Sequence, residues 1–157
     1  MSMVNITLPD GSVNEYSSGI SAGEVVEDSL GRKHGCLAAL VDDIERDLSY
    51  SLESDASVSG IPAESEAGMH ILRHSAAHLL AQAVMELYPE ANPTIGPAIE
   101  GGFYYDFAME PIDEEDLKTI QKKMHELARK NLSVERVECS DAELSNLFSA
   151  NPYKLEI

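Results

Sequence analysis

Val4-Asn-Ile-Thr-Leu8 alternates apolar and polar side chains with the period of a half-buried strand. Pro9-Asp10-Gly11-Ser12 is turn chemistry, and Val13 to Tyr16 returns with similar alternation, so the pattern predicts an opening β-hairpin. Ser21 followed three residues later by Glu24 forms a capping box, and Val25, Val26 and Leu30 before Gly31 complete a short helix. The apolar run Cys36 to Val41 reads as a strand, Asp42-Asp43 as an acidic turn, and Ser57 to Ile61 as a last strand. Residues 1–62 are therefore expected to make a small α+β unit, one helix packed across a sheet.

Residues 63–68 are polar, bounded by Pro62 and Gly68, and lack periodicity; they read as a linker to a second domain over 69–157. That domain opens with a helix from His70 to Pro89. With Leu72 at zero on a helical wheel, Ala76, Leu79, Ala83 and Leu87 fall within roughly 60° and mark the expected core face. His70, His74 and His78 recur every four residues, about 40° apart, near the opposite side, where Ala77 and Ala81 leave room for a cavity.

Pro93 to Gly102 is rich in turn residues, and Phe103 to Phe107 reads as an aromatic strand with Phe103, Tyr105 and Phe107 on one face. Asp113 to Asp116 starts a helix whose buried stripe is Leu117, Ile120, Met124, Leu127 and Ala128, closing at Lys130-Asn131. Leu132 to Val137 is a further expected strand, Ser140 to Glu143 caps a short helix through Phe148, and Pro152 to Ile157 is an extended end. A strand-like segment ending at the last residue is what a second domain cut short, or a fragment of a longer chain, is expected to show.

Composition changes this picture little: 43% apolar residues among 157 is ordinary for a protein with a real core. Charge changes it more. Acids outnumber bases 28 to 11, for a net charge of −17. The bias is spread, with eleven acids and three bases in residues 1–62 and the remainder beyond. A chain this acidic is expected to bind nucleic acid weakly or not at all by itself, because phosphate contacts need basic patches. No run of 18 apolar residues and no signal-peptide pattern occurs, so a soluble cytoplasmic protein with no membrane association is expected. Cys36 and Cys139 form no motif.

Two histidines at i and i+4 can share one small ligand, as on the helices of zinc proteases. Here Ser75 stands where those helices carry the glutamate base, and no Cys or His pair follows to complete a metal site. His125 falls on the charged side of its helix and reads as a surface residue. Gly96-Pro97 and Gly101-Gly102 bring backbone close to whatever precedes the aromatic strand, as a substrate groove requires, although such turns are often only structural. From spacing alone, His74 and His78 stand open between a functional pair and hydrogen-bonded histidines at a domain edge.

The segments His74-Ser-Ala-Ala-His78-Leu-Leu, Ile95-Gly-Pro-Ala-Ile-Glu-Gly-Gly-Phe-Tyr-Tyr-Asp106 and Met124-His-Glu-Leu-Ala-Arg-Lys-Asn131, in that order behind a hairpin-led domain, resemble the N-terminal region of threonyl-tRNA synthetase. The resemblance implies that residues 1–62 form a TGS domain, a ubiquitin-like β-grasp module, and that residues 69–157 form the first part of an α+β editing domain, incomplete here. That family attaches threonine to its tRNA with ATP, and its editing domain hydrolyses serine wrongly placed on threonine tRNA. Carried over, the resemblance makes His74, His78 and Lys154 catalytic and Tyr105 a pocket residue; Gly96 and Pro97 are expected to bind substrate. It implies no cofactor or metal in this region. ATP, magnesium and zinc belong to an aminoacylation core beyond Ile157, threonine tRNA is the implied partner, and the full-length enzyme is expected to be a homodimer.

Two other readings remain at this point. The alanyl-tRNA synthetase editing family shares an HxxxH helix and binds zinc, but lacks the leading TGS-like unit. A binding module would use the β-grasp unit for a ligand or protein and keep the histidines as structural groups.

Overall fold

Val4 and Ile6 are buried while Met3, Asn5 and Thr7 face outward, so the period-two pattern of the first strand sets one face of a sheet against a core. The computed structural model describes residues 2–134 and 136–155, apart from the side chain of Leu155. Strand β1 (Met3–Thr7) pairs antiparallel with β2 (Val13–Ser17), and the turn between them is closed by Asp10, whose Oδ1 accepts from the Ser12 backbone N–H at 2.9 Å. After β3 (Ile20–Ser21), helix α1 (Ala22–Leu30) starts at the expected capping box: Ser21 Oγ accepts from Glu24 N at 3.2 Å, and Glu24 accepts from Ser21 N at 3.0 Å.

Strand β4 (Cys36–Val41) turns into β5 (Ile44–Arg46) through Asp42 and Asp43, both left-handed with φ of 49° and 62°, the conformation of a tight hairpin turn. A short β6 (Ser51–Leu52) pairs with β3, and β7 (Ala56–Pro62) lies antiparallel to β4 and parallel to β1. The five-stranded order β2-β1-β7-β4-β5, with a parallel central pair, is a β-grasp arrangement. Val25 and Val26 of α1 pack into its core with Ile6, Ala39, Leu52 and Val58.

Two compact units divide at Leu72, within helix α2 (Glu66–Leu87). Glu66 to Gly68, read from sequence as linker, are already helical. Ser65 Oγ accepts from Gly68 N at 3.0 Å and so acts as the N-cap, and a Cβ at Gly68 would meet the Pro62 carbonyl oxygen at 1.9 Å. The glycine is there for close backbone approach.

The second unit, Arg73–Ile157, has its own core of Ala83, Val84, Ala91, Ile120 and Leu127, against which Leu79, Leu87, Phe107 and Met124 pack. Helix α3 (Glu114–Arg129) begins at Asp113, which accepts from Glu115 N and Asp116 N. Tyr88 donates to Asp116 at 2.6 Å, which ties the end of α2 to the start of α3 and pushes the Tyr88 phenol up to about 12.

The expected aromatic strand is split. Gly102–Phe103 (β10) pairs with Ala98–Ile99 (β9), whereas Phe107–Ala108 (β11) pairs with Asn92–Pro93 (β8). Different partners on either side, with Asp106 N donating to the Ile95 carbonyl at 2.9 Å, break the run between them.

Leu132 to Val137 forms no strand among its described residues: Val134 is 90% exposed and Val137 74%, with no neighbouring strand to pair with. Glu135 lies outside the described residues. Helix α4 (Asp141–Leu147) follows from the Ser140 box as expected. The end read as extended instead turns into a single helical turn, α5 (Pro152–Leu155), with proline at its first position; Glu156 and Ile157 lie outside the described residues. No helix among the described residues is long and apolar enough to cross a membrane.

Ile6 is fully buried at the centre of the first core. Ile6→Ala should destabilise that unit by about 2–5 kcal/mol, seen as a lower urea midpoint for its unfolding.

Candidate active site

Helix α2 buries the face that Leu79, Ala83 and Leu87 mark, as expected, and more besides. Leu72 is 47% exposed, while Ala77, Ala81, Ala83 and Val84 are buried. The buried arc runs on from that face through Val84 to Ala77 and Ala81, and Ala81 also borders the open groove beside His78, where the sequence left room for a cavity. His74 and His78 consequently sit at the rim of the buried surface, where a side chain can be both held and reached.

The two imidazoles meet edge to face, with ring centroids 4.6 Å apart, an interplanar angle of 88° and Nε2 atoms 3.0 Å apart. At that distance one Nε2 donates and the other accepts, so the facing nitrogens share a single proton. His78 keeps an exposed edge, yet its pKa is lowered, first by desolvation and then by the nearby charges of His74 and Lys154. It is therefore uncharged at neutral pH and able to accept a proton. His70, the third member of the stripe, is exposed and does not line the site.

A cavity of about 280 Å³ is lined by His74, His78, Thr94, Ile95, Gly96, Pro97, Tyr105 and Lys154. The structure thus gathers every residue singled out from sequence as catalytic or substrate-binding. Their spacing in the chain hides this, because Lys154 arrives from α5 and Tyr105 from the irregular stretch between β10 and β11. A Cβ on Gly96 would lie 2.0 Å from Tyr105 Cδ2, so only glycine lets the backbone press on that ring. Tyr105 also stacks on Phe107, with centroids 4.8 Å apart and planes 25° apart. The ring is held in place, and its hydroxyl accepts a long hydrogen bond from Lys154 Nζ at 3.4 Å.

A larger groove of about 880 Å³ shares His78, Tyr105 and Lys154 and continues along Ala81, Met85, Pro93, Leu147 and Phe148, so its far wall is largely apolar. Sequence reasoning missed this wall and also missed Asn151. Asn151 Nδ2 donates to the Pro93 carbonyl at 3.0 Å, while its Oδ1 is buried with no partner among the described residues. The only sequence signal was an asparagine directly before a proline at a helix start.

A tetrahedral zinc needs more than two imidazoles, and among the described residues no three His, Cys, Asp or Glu side chains come together to hold an ion. Cys36 is buried, Cys139 exposed, and His125 lies exposed on α3. What the cavity offers is a pair of hydrogen-bonded imidazoles beside an ammonium: a proton acceptor in His78 next to a positive charge, able to activate water and to stabilise a developing oxyanion.

No family model matches the sequence. Curated proteins do. The chain is 42% identical over 156 residues to threonine–tRNA ligase of Desulfatibacillum aliphaticivorans, covering 99% of this chain and 24% of that protein. It is 46% identical over 159 residues to threonine–tRNA ligase of Cupriavidus necator, covering 99% of this chain and 25% of that protein. The likeness, along nearly the whole sequence, is to part of an aminoacyl-tRNA ligase. The chain belongs to the threonine–tRNA ligase family, and it spans about a quarter of the length of the curated relatives it matches. A solved structure, "Crystal structure of ATBAG1 in complex with HSP70", aligns over 99% of this chain and 94% of that one at 19% identity with a TM-score of 0.31, too slight a likeness to carry an argument.

In an NMR titration His78 should lose its proton below histidine's ordinary value of about 6.5, and Lys154→Ala should move that midpoint upward without restoring it fully, since desolvation is the largest cause. Gly96→Ala should displace the Tyr105 ring, read as loss of the ring-current shift it exchanges with Phe107.

Proposed function

We propose that this chain provides proofreading within a threonine–tRNA ligase, hydrolysing serine wrongly esterified to threonine tRNA. The observation that carries this reading is the single cavity in which the His74–His78 pair, Tyr105 and Lys154 converge. In the whole enzyme, threonine would be attached to its tRNA with ATP, and tRNA would be the shared partner of both reactions. The need for a second site follows from magnitudes. Serine lacks one methyl of threonine, and one methyl changes pocket binding by only about 1–3 kcal/mol.

In this scheme the imidazole pair orients a water against the ester carbonyl. Water oxygen bonds to the carbonyl carbon as its proton passes to the neutral imidazole. Lys154 stabilises the oxyanion, the bond from carbon to the ribose oxygen breaks, and the imidazole returns the proton to that oxygen, releasing serine and uncharged tRNA. Tyr105, fixed between Gly96 and Phe107, gives the pocket a wall that does not yield to threonine's extra methyl. No step requires a metal.

His74→Ala in the full-length enzyme should slow deacylation of seryl-tRNA by about 10²-fold or more while leaving threonine attachment intact. Deacylation at the unsubstituted rate in that variant would refute the assigned role.

A further inference from the structure

We propose that Asn151 is a positioning residue that sets Lys154 in the cavity; this rests on the proofreading reading above. Lys154 is carried by α5, a single turn of four residues, whose first residue is a proline without a backbone donor. A turn that short does not hold its own geometry, and its internal bond here, Lys154 N to the Asn151 carbonyl, is 3.2 Å. Its place must be set from outside. Asn151 does this through its amide, which donates to the Pro93 carbonyl of β8.

From Pro93 the connection closes on itself. Pro93 is the register partner of Phe107 across β8 and β11, Phe107 stacks on Tyr105, and the Tyr105 hydroxyl accepts from Lys154. Asn151, Pro93, Phe107, Tyr105 and Lys154 thus form a ring of contacts with the ammonium as its working end. The buried Oδ1 without a partner supports the same role, since an apolar side chain could fill this space without leaving an acceptor unpaired. What asparagine supplies here, and an apolar residue does not, is the donated hydrogen bond.

The test uses the full-length enzyme carrying Asn151→Leu, Asn151→Ala or Asn151→Gln, with two readouts: kcat and KM for seryl-tRNA deacylation, and the rate at which an amine-acetylating reagent modifies Lys154, followed by mass spectrometry. Loss of the donor in the Leu and Ala variants should lower kcat roughly ten- to hundredfold with little change in KM and speed Lys154 modification, while Asn151→Gln recovers most of both. In a Lys154→Ala background, Asn151→Leu should cost nothing further, because it acts through the missing lysine. Unchanged Lys154 modification in both the Leu and Ala variants, or a full additional loss in the Lys154→Ala background, would overturn the proposal. If Lys154→Ala alone leaves deacylation intact, the proofreading role of Lys154 fails, and the modification rate still decides whether Asn151 positions it.

Discussion

One shared proton between His74 and His78 is the constraint on which the proposed chemistry rests. Helical spacing places the residues one turn apart, and the 3.0 Å between their Nε2 atoms forces complementary tautomers. Protonating both imidazoles would set two cations face to face beside Lys154, and the lowered pKa of His78 reflects its desolvation first and those charges second. His78 is thereby kept able to accept a proton at neutral pH. Much of the second unit can be read as the support of that state: a buried arc of α2 that fixes the helix, and a clamped tyrosine that closes one wall.

Support comes from contacts that are individually weak and mutually dependent. Strands of two residues and a helix of four carry little stability of their own. Gly96 presses on Tyr105, Tyr105 on Phe107, and Asn151 ties the lysine-bearing turn to the strand beside them. A site built this way tolerates long sequence separations, since geometry is set by packing across the loops rather than by one rigid element.

The legible parts of the fold were those encoded locally. Asp10-Gly11 gave the hairpin, Ser21 with Glu24 gave α1, and Asp113 and Ser140 gave α3 and α4. The histidine pair was equally legible, because its four-residue step needs only a helix; Gly96-Pro97 was read as a groove from its turn chemistry, whereas the roles of Tyr105 and Lys154 came from resemblance and not from spacing. What escaped were choices made at a distance. Ser65 caps α2 with a glycine, not a glutamate, at the third position, so no capping box announced it. Phe103 and Phe107 belong to different pairs, and alternation along the chain cannot say where a partner changes. Val134 and Val137 stay exposed, with no strand among the described residues to meet them, and Leu72 is left outside although Leu79 and Leu87, in phase with it, pack on the core.

The most direct measurement of the central claim is the pH dependence of seryl-tRNA hydrolysis by the full-length enzyme, corrected for spontaneous ester cleavage. If the neutral imidazole accepts the proton of the attacking water, the rate should rise with pH through a midpoint below about 6.5 and then level off, and His78→Ala should abolish that limb. A corrected rate that is flat through this range, or a limb that survives in His78→Ala, would contradict the account.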